Sequence, residues 1–110
     1  MDAESPPPKL RNDIRARLQR CLDALNVEIA SYPTPIPRCD AQFNHLYEQR
    51  SRLVQDLHGL DALGADATSR RDLHAWIREF LGTPARTEEA DEAHLRRDLR
   101  SLLAEATPSA

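Results

Sequence analysis

The sequence has little of what strand-rich or catalytic architectures are built from. Its 110 residues include three glycines and five aromatic residues, whereas β-rich domains use more turn glycines, aromatics and β-branched side chains. Valine and isoleucine are few, and leucine and alanine supply most of the apolar residues, as helix propensity favours. There is no glycine-rich phosphate loop, no GxSxG and no Ser, His and Asp set that spacing brings together, so an enzyme is not expected.

Two cysteines, Cys21 and Cys39, are too few for a disulfide scaffold and form no CxxC pair. No signal-sequence pattern opens the chain, which makes the cytoplasm the expected compartment. No apolar run approaches the roughly 20 residues that cross a bilayer, so no membrane partner is expected.

Lysine is nearly absent too: fourteen arginines and Lys9 face eighteen acids, for a net charge of -3. A nucleic-acid partner is not expected, because binding by bulk electrostatics needs a basic surplus or a basic face. A DNA-binding regulator is therefore the weakest of three functional readings. Arg70, Arg71 and Arg78 alternate with Asp72 and Glu79, and the linker before them is longer than the turn of a helix-turn-helix.

What is present is helical periodicity over the length of one domain. Residues 1–8 end in three prolines and read as a disordered leader. Over 9–106 a single domain is expected. From Lys9 to Ala30, Leu10, Ile14, Leu18, Cys21, Leu22, Leu25 and Ile29 make one apolar stripe flanked by arginines, the pattern of a long amphipathic helix. Pro33, Pro35 and Pro37 stiffen a connection over 31–39, and Asp40 is a suitable N-cap for the next helix. That helix ends near Gly59. Its apolar residues are Phe43, Leu46, Tyr47, Leu53, Val54, Leu57 and Leu60, and it should fold back on the first as an antiparallel hairpin.

A third helix is expected from Thr68 or Ser69 to Leu81, with Asp72 completing a capping-box-like start and Gly82 closing it. Its face of Leu73, Trp76, Ile77, Phe80 and Leu81 must be buried, in the bundle or against another molecule. Thr83 and Pro84 suit the start of a fourth helix, with Thr87 as the competing cap. Glu88, Glu89, Asp91 and Glu92 then fall early and Arg96, Arg97 and Arg100 late, as the helix dipole favours. Leu95, Leu99, Leu102 and Leu103 mark its inner side, and 107–110 form a frayed tail. The expected fold is an all-α bundle of about four helices built on a long hairpin.

Three features carry the functional expectation. On a heptad reading of the second helix, Phe43 and Leu57 take a positions, Leu46, Leu53 and Leu60 take d, and Arg50 takes the intervening a position. A charge there must snorkel to the rim or meet an acid such as Glu79 or Asp98, and a polar a position can set register or oligomeric state in a coiled coil. Secondly, Tyr32, Ile36, Phe43, Tyr47, Trp76 and Phe80 are many large groups for so small a core. Aromatics and arginine are enriched at interface centres, and the spacing leaves open whether these residues are core or interface. Thirdly, Cys39 precedes a helix N-terminus that can activate a thiol, although the adjacent Asp40 opposes this. His45, His58, His74 and His94 show no ligand spacing such as HExxH, so no metal or other cofactor is expected.

The sequence therefore points to a non-catalytic protein–protein interaction module, a small regulator or adaptor that self-associates as a homodimer or binds another protein. Phe43, Tyr47, Arg50 and Trp76 are the candidate contact residues. The competing reading is a thiol- or metal-responsive sensor using Cys39 and the histidines.

Overall fold

The computed structural model describes residues 6–31, 41–64 and 69–106, and all the regular structure in them is helical. Four helices follow one another: α1 (Pro7–Ala30), α2 (Ala41–Asp61), α3 (Arg70–Leu81) and α4 (Ala90–Ala106). The architecture is the expected all-α bundle built on an α1–α2 hairpin. The expected proline-bearing connection and Asp40 cap lie outside the described residues, as does Thr68.

The apolar stripes explain the packing. From α1, Leu10, Ile14, Leu18, Cys21, Leu22 and Leu25 are buried, and Ile29 is half-buried at the end of the row. They meet Leu46, Leu53, Leu57 and Leu60 of α2, Leu73, Ile77 and Phe80 of α3, and Leu95, Leu99 and Leu102 of α4 in one continuous core. Side chains locate the partners along each helix. Arg15, near the start of α1, reaches Asp61 at the end of α2, and Arg17 reaches Asp98 of α4. The helices thus alternate in direction. Helix α1 packs against all three others, whereas the α2 and α4 backbones do not approach each other.

Helix ends depart from expectation where local rules allow two solutions. Helix α1 begins at Pro7, inside the segment read as leader, with prolines in its first turn. There the missing amide has no intrahelical partner to lose, and the fixed φ is already helical. Helix α2 continues past Gly59 to Asp61, and the positive φ falls at Gly64 (71°). At α3 the expected start is present: the Ser69 side chain accepts from the Asp72 amide at 3.1 Å.

The start of α4 is the largest correction. Pro84 does not open it; residues 83–89 form an irregular connection and the helix begins at Ala90. The reason is Glu92, which is not a solvated helix-start acid but a buried one, 1% exposed. Its Oε1 accepts from the Thr87 amide (2.7 Å) and Thr87 Oγ1 (3.0 Å). Oε2 accepts from the Arg86 amide (2.7 Å) and Arg96 Nε (2.7 Å). The carboxylate therefore folds the preceding chain back over itself, and Thr87 Oγ1 in turn accepts from the Glu89 amide.

Arg96, also buried, uses every donor of its guanidinium. Besides Glu92, Nη1 donates to the carbonyls of Phe80 (3.2 Å) and Thr83 (2.9 Å), and Nη2 to Thr83 Oγ1 (3.3 Å) and the Pro84 carbonyl (3.0 Å). The last carbonyls of a helix have no intrahelical partner, so this arginine caps the end of α3 from α4. Arg86 extends the network to α2 through paired contacts with Asp56 at 2.9 and 3.2 Å.

Removing one member of a buried, fully bonded ion pair leaves the other charge uncompensated, at a cost of about 3–5 kcal/mol. Glu92→Gln should therefore lower unfolding free energy by about that amount in urea titrations. Glu105→Gln, an exposed acid on the same helix, should change stability by less than about 0.5 kcal/mol.

Candidate functional site

Helix α2 has two flanks beside its buried face, and they face different ways. Phe43, Tyr47, Arg50 and Val54 recur at spacings of four, three and four, which places them along one side of the helix. Gln55, Asp56 and Gly59 lie on another side, roughly 150° away by a helical period of about 100° per residue. The four candidate contact residues are accordingly not one site. Phe43, Tyr47 and Arg50 share the first flank, and Trp76 of α3 packs on the second.

On the first flank, Phe43 is half-buried and meets Tyr47 edge-on, with ring centroids 4.8 Å apart and planes at 65°. Edge-to-face contact of this kind is favourable beyond the area it buries. Tyr47 is nevertheless 44% exposed; Val27, on the outer side of α1, is the other large apolar residue left so open among those described. Tyr47, Arg50, Ser51 and Val54 line a shallow hollow.

Arg50 does not interrupt the apolar seam. It is exposed, and the acids proposed for it are placed elsewhere: Asp98 binds Arg17 at 2.9 Å, and Glu79 lines the α3 side. The buried polar residue of α2 is its neighbour Gln49. A straight helix drifts about 20° per heptad against a 3.5-residue repeat, so a coiled-coil reading loses its phase along α2. Facing both α1 and α3 turns the inner side of α2 toward position 49 and carries position 50 to the rim.

On the second flank Trp76 is half-buried. Its ring stacks on that of Phe80, with centroids 5.2 Å apart and planes 10° from parallel, and the Arg96 guanidinium lies over the same Phe80 ring, 4.2 Å from its centroid. Gly59 makes room for the indole: a Cβ at that position would lie 3.3 Å from Trp76 Nε1. Gln55, Asp56, Gly59, Trp76, Glu79, Phe80 and Thr83 line an open groove here. The large groups thus divide between roles. Phe80 is core, Trp76 and Phe43 are half-buried, and Tyr47 is open; Tyr32 and Ile36 lie outside the described residues.

Cys39 also lies outside the described residues. The other thiol, Cys21, is buried, and its pKa is pushed up to about 11 by desolvation and then by Glu92 and Asp91 across the α1–α4 contact. A thiol so held is almost entirely protonated at neutral pH and a poor nucleophile. The histidines are dispersed: His45 and His58 are exposed on α2, His94 is exposed on α4, and His74 is buried in α3. Among the described residues no three His, Cys, Asp or Glu side chains converge in a metal-holding arrangement, and no helix is long and apolar enough to cross a membrane.

Sequence reasoning missed Gln49, Gly59 and the Glu92–Arg96 pair. The pair was visible as an i, i+4 acid and base, which by itself signals a surface contact. Gly59 was read as a helix end because glycine commonly ends helices.

The fold and its site define the chain at the level of class: a small all-α bundle whose second helix carries an open aromatic and arginine face. Compared with protein-family models, with characterised proteins and with solved structures, the chain matches none.

Two outcomes follow from this geometry. Gly59→Leu should displace the Trp76 indole from α2 and shift tryptophan emission to longer wavelength. Desolvation, then Arg70 and Arg78, lower the pKa of His74 below its ordinary 6.5. The unfolded chain then binds more protons than the folded one as pH falls below 6.5, so folded stability is full above that pH and declines beneath it. His74→Leu should flatten the part of the melting-temperature profile below the ordinary histidine pKa of 6.5 that this residue causes. Asp61 and Asp98, whose pKa values are lowered chiefly by hydrogen bonds from Arg15 and Arg17, act in a separate window below their ordinary 3.8.

Proposed function

We propose that the protein is a non-catalytic interaction module that self-associates through the outer flank of α2. The observation that carries this reading is Tyr47: a large aromatic side chain held edge-on by Phe43, left 44% exposed, and adjoined along one helical side by Arg50 and Val54. Tyrosine and arginine are enriched among residues that dominate binding energy, because each combines a broad apolar body with directed polar contacts. A helix presenting the same face to a second copy forms an isologous interface, in which Tyr47 of one protomer meets the α2 face of its partner. Trp76, stacked on the core beside Gly59, serves in this reading to hold α3 on α2 rather than to touch the partner.

Sedimentation over a range of concentrations tests the proposal. The expected species has twice the 12.5 kDa chain mass, and Tyr47→Glu should weaken the association at least ~30-fold, the effect of losing a contact of about 2 kcal/mol. Val27→Glu, which changes the other open apolar residue on α1, should leave association unchanged. A wild-type chain that stays monomeric at ~0.5 mM would rule out self-association, since a dissociation constant above that value corresponds to less than about 5 kcal/mol of binding.

A further inference from the structure

The end of the bundle opposite Asp61 holds a small polar pocket that the fold does not require. It lies where the C-terminal half of α1, the N-terminal half of α2 and the approach to α4 converge. Glu28, Gln42, His45, Gln49, Glu88 and Glu89 contribute to its wall, together with Thr87 and Ala90, over an apolar floor of Leu25 and Leu46. Its volume is about 170 Å³, below the several hundred Å³ typical of drug-sized sites. The space suits one side-chain-sized group.

Gln49 is among the most enclosed polar residues of the pocket wall. The residue is 7% exposed, yet its amide makes no hydrogen bond among the described residues. Its amide atoms are not sealed in the core, so the surface that Gln49 retains opens toward this pocket. An amide carries an acceptor and two donors, and with no partner among the described residues those of Gln49 are left to water or to a group that enters the pocket.

Charge indicates the kind of group. Among the described residues, three carboxylates line the pocket and no lysine or arginine does. The partial positive end of α4, about half a charge, offsets only a fraction of this. The occupant should be a cation. No three metal-capable side chains converge among the described residues, so a bare metal ion lacks a ligand set. A guanidinium matches the site better than an ammonium does. It is planar, it spreads five donors over acceptors that are themselves spread out, and its weakly hydrated faces tolerate a leucine floor.

We infer that this pocket binds a guanidinium group, with the Gln49 amide oxygen and the Glu28, Glu88 and Glu89 carboxylates as acceptors. The site lies on a different flank of α2 from Tyr47, so it stands or falls separately from self-association. Its natural source is either an arginine side chain of a protein or a free small guanidine, and blocked arginine and agmatine distinguish the two.

The test is amide NMR of the intact chain, titrated with N-acetyl-arginine methylamide, N-acetyl-lysine methylamide and agmatine. Blocked arginine or agmatine should saturably shift the Gln49 side-chain amide and the backbone amides of 88–90, with the lysine analogue at least ~5-fold weaker. The exposed double variant Glu88→Gln, Glu89→Gln should weaken binding about tenfold. Gln49→Leu, checked for an unchanged fold by circular dichroism, should abolish the selectivity for guanidinium over ammonium. Stronger binding of blocked arginine assigns the pocket to a protein arginine, and stronger binding of agmatine to a small molecule. No saturable shift at Gln49 by ~50 mM, or shifts that persist unchanged in the Glu88, Glu89 variant, overturns the inference.

Discussion

The buried pairing of Glu92 with Arg96 is the constraint around which the second half of this chain is arranged. Two charges taken out of water are tolerable only if all their hydrogen-bonding capacity is met. Here it is met by backbone: two amides of the approach to α4 serve the carboxylate, and three carbonyls from the end of α3 and the loop beyond it serve the guanidinium. One ion pair thereby fixes where α3 stops, how residues 83–89 run and where α4 starts. Because Arg86 also clasps Asp56, the same network ties this connection to α2.

The leucine core supplies most of the attraction and little of the direction. Burial of apolar area is non-directional, and the stripes of α1, α2 and α4 would accept several rotations about their axes. Polar contacts along the edges of the core select among these: Arg15 with Asp61 and Arg17 with Asp98 set the α2 and α4 positions against α1. Gly59 sets the α2–α3 approach by leaving space for the Trp76 indole. With α1 packed on the three other helices, α2 keeps one flank uncovered, and that flank carries Tyr47.

Two separable surfaces result from this arrangement. The outer flank of α2 is aromatic and open, and the pocket at the far end of α1 is acidic and small. The first is an open hollow, and the second is lined by three carboxylates. Cys21, buried and with its thiol pKa raised, lies within the α1–α4 contact.

Residue spacing alone determined that the chain is helical, where α1, α2 and α3 lie to within a few residues, that a fourth helix follows them, and which leucines face inward. Those properties follow from local propensity and a 3.6-residue period, and both are written in neighbouring residues. The Ser69 cap was legible for the same reason. Whether Glu92 is a solvated helix-start acid or the buried centre of a loop depends on carbonyls contributed by another helix, and nothing within four residues of it reveals them. The choice between Arg50 and Gln49 as the inward polar residue was equally closed to periodicity, because at about 100° per residue the two flank the leucine stripe on opposite sides at comparable angles. Only the packing of α2 against two helices at once decides it. Tertiary structure likewise decided that Trp76 of α3 packs on a flank of α2 remote from Tyr47, since a separation in sequence carries no record of the direction in which a distant surface faces.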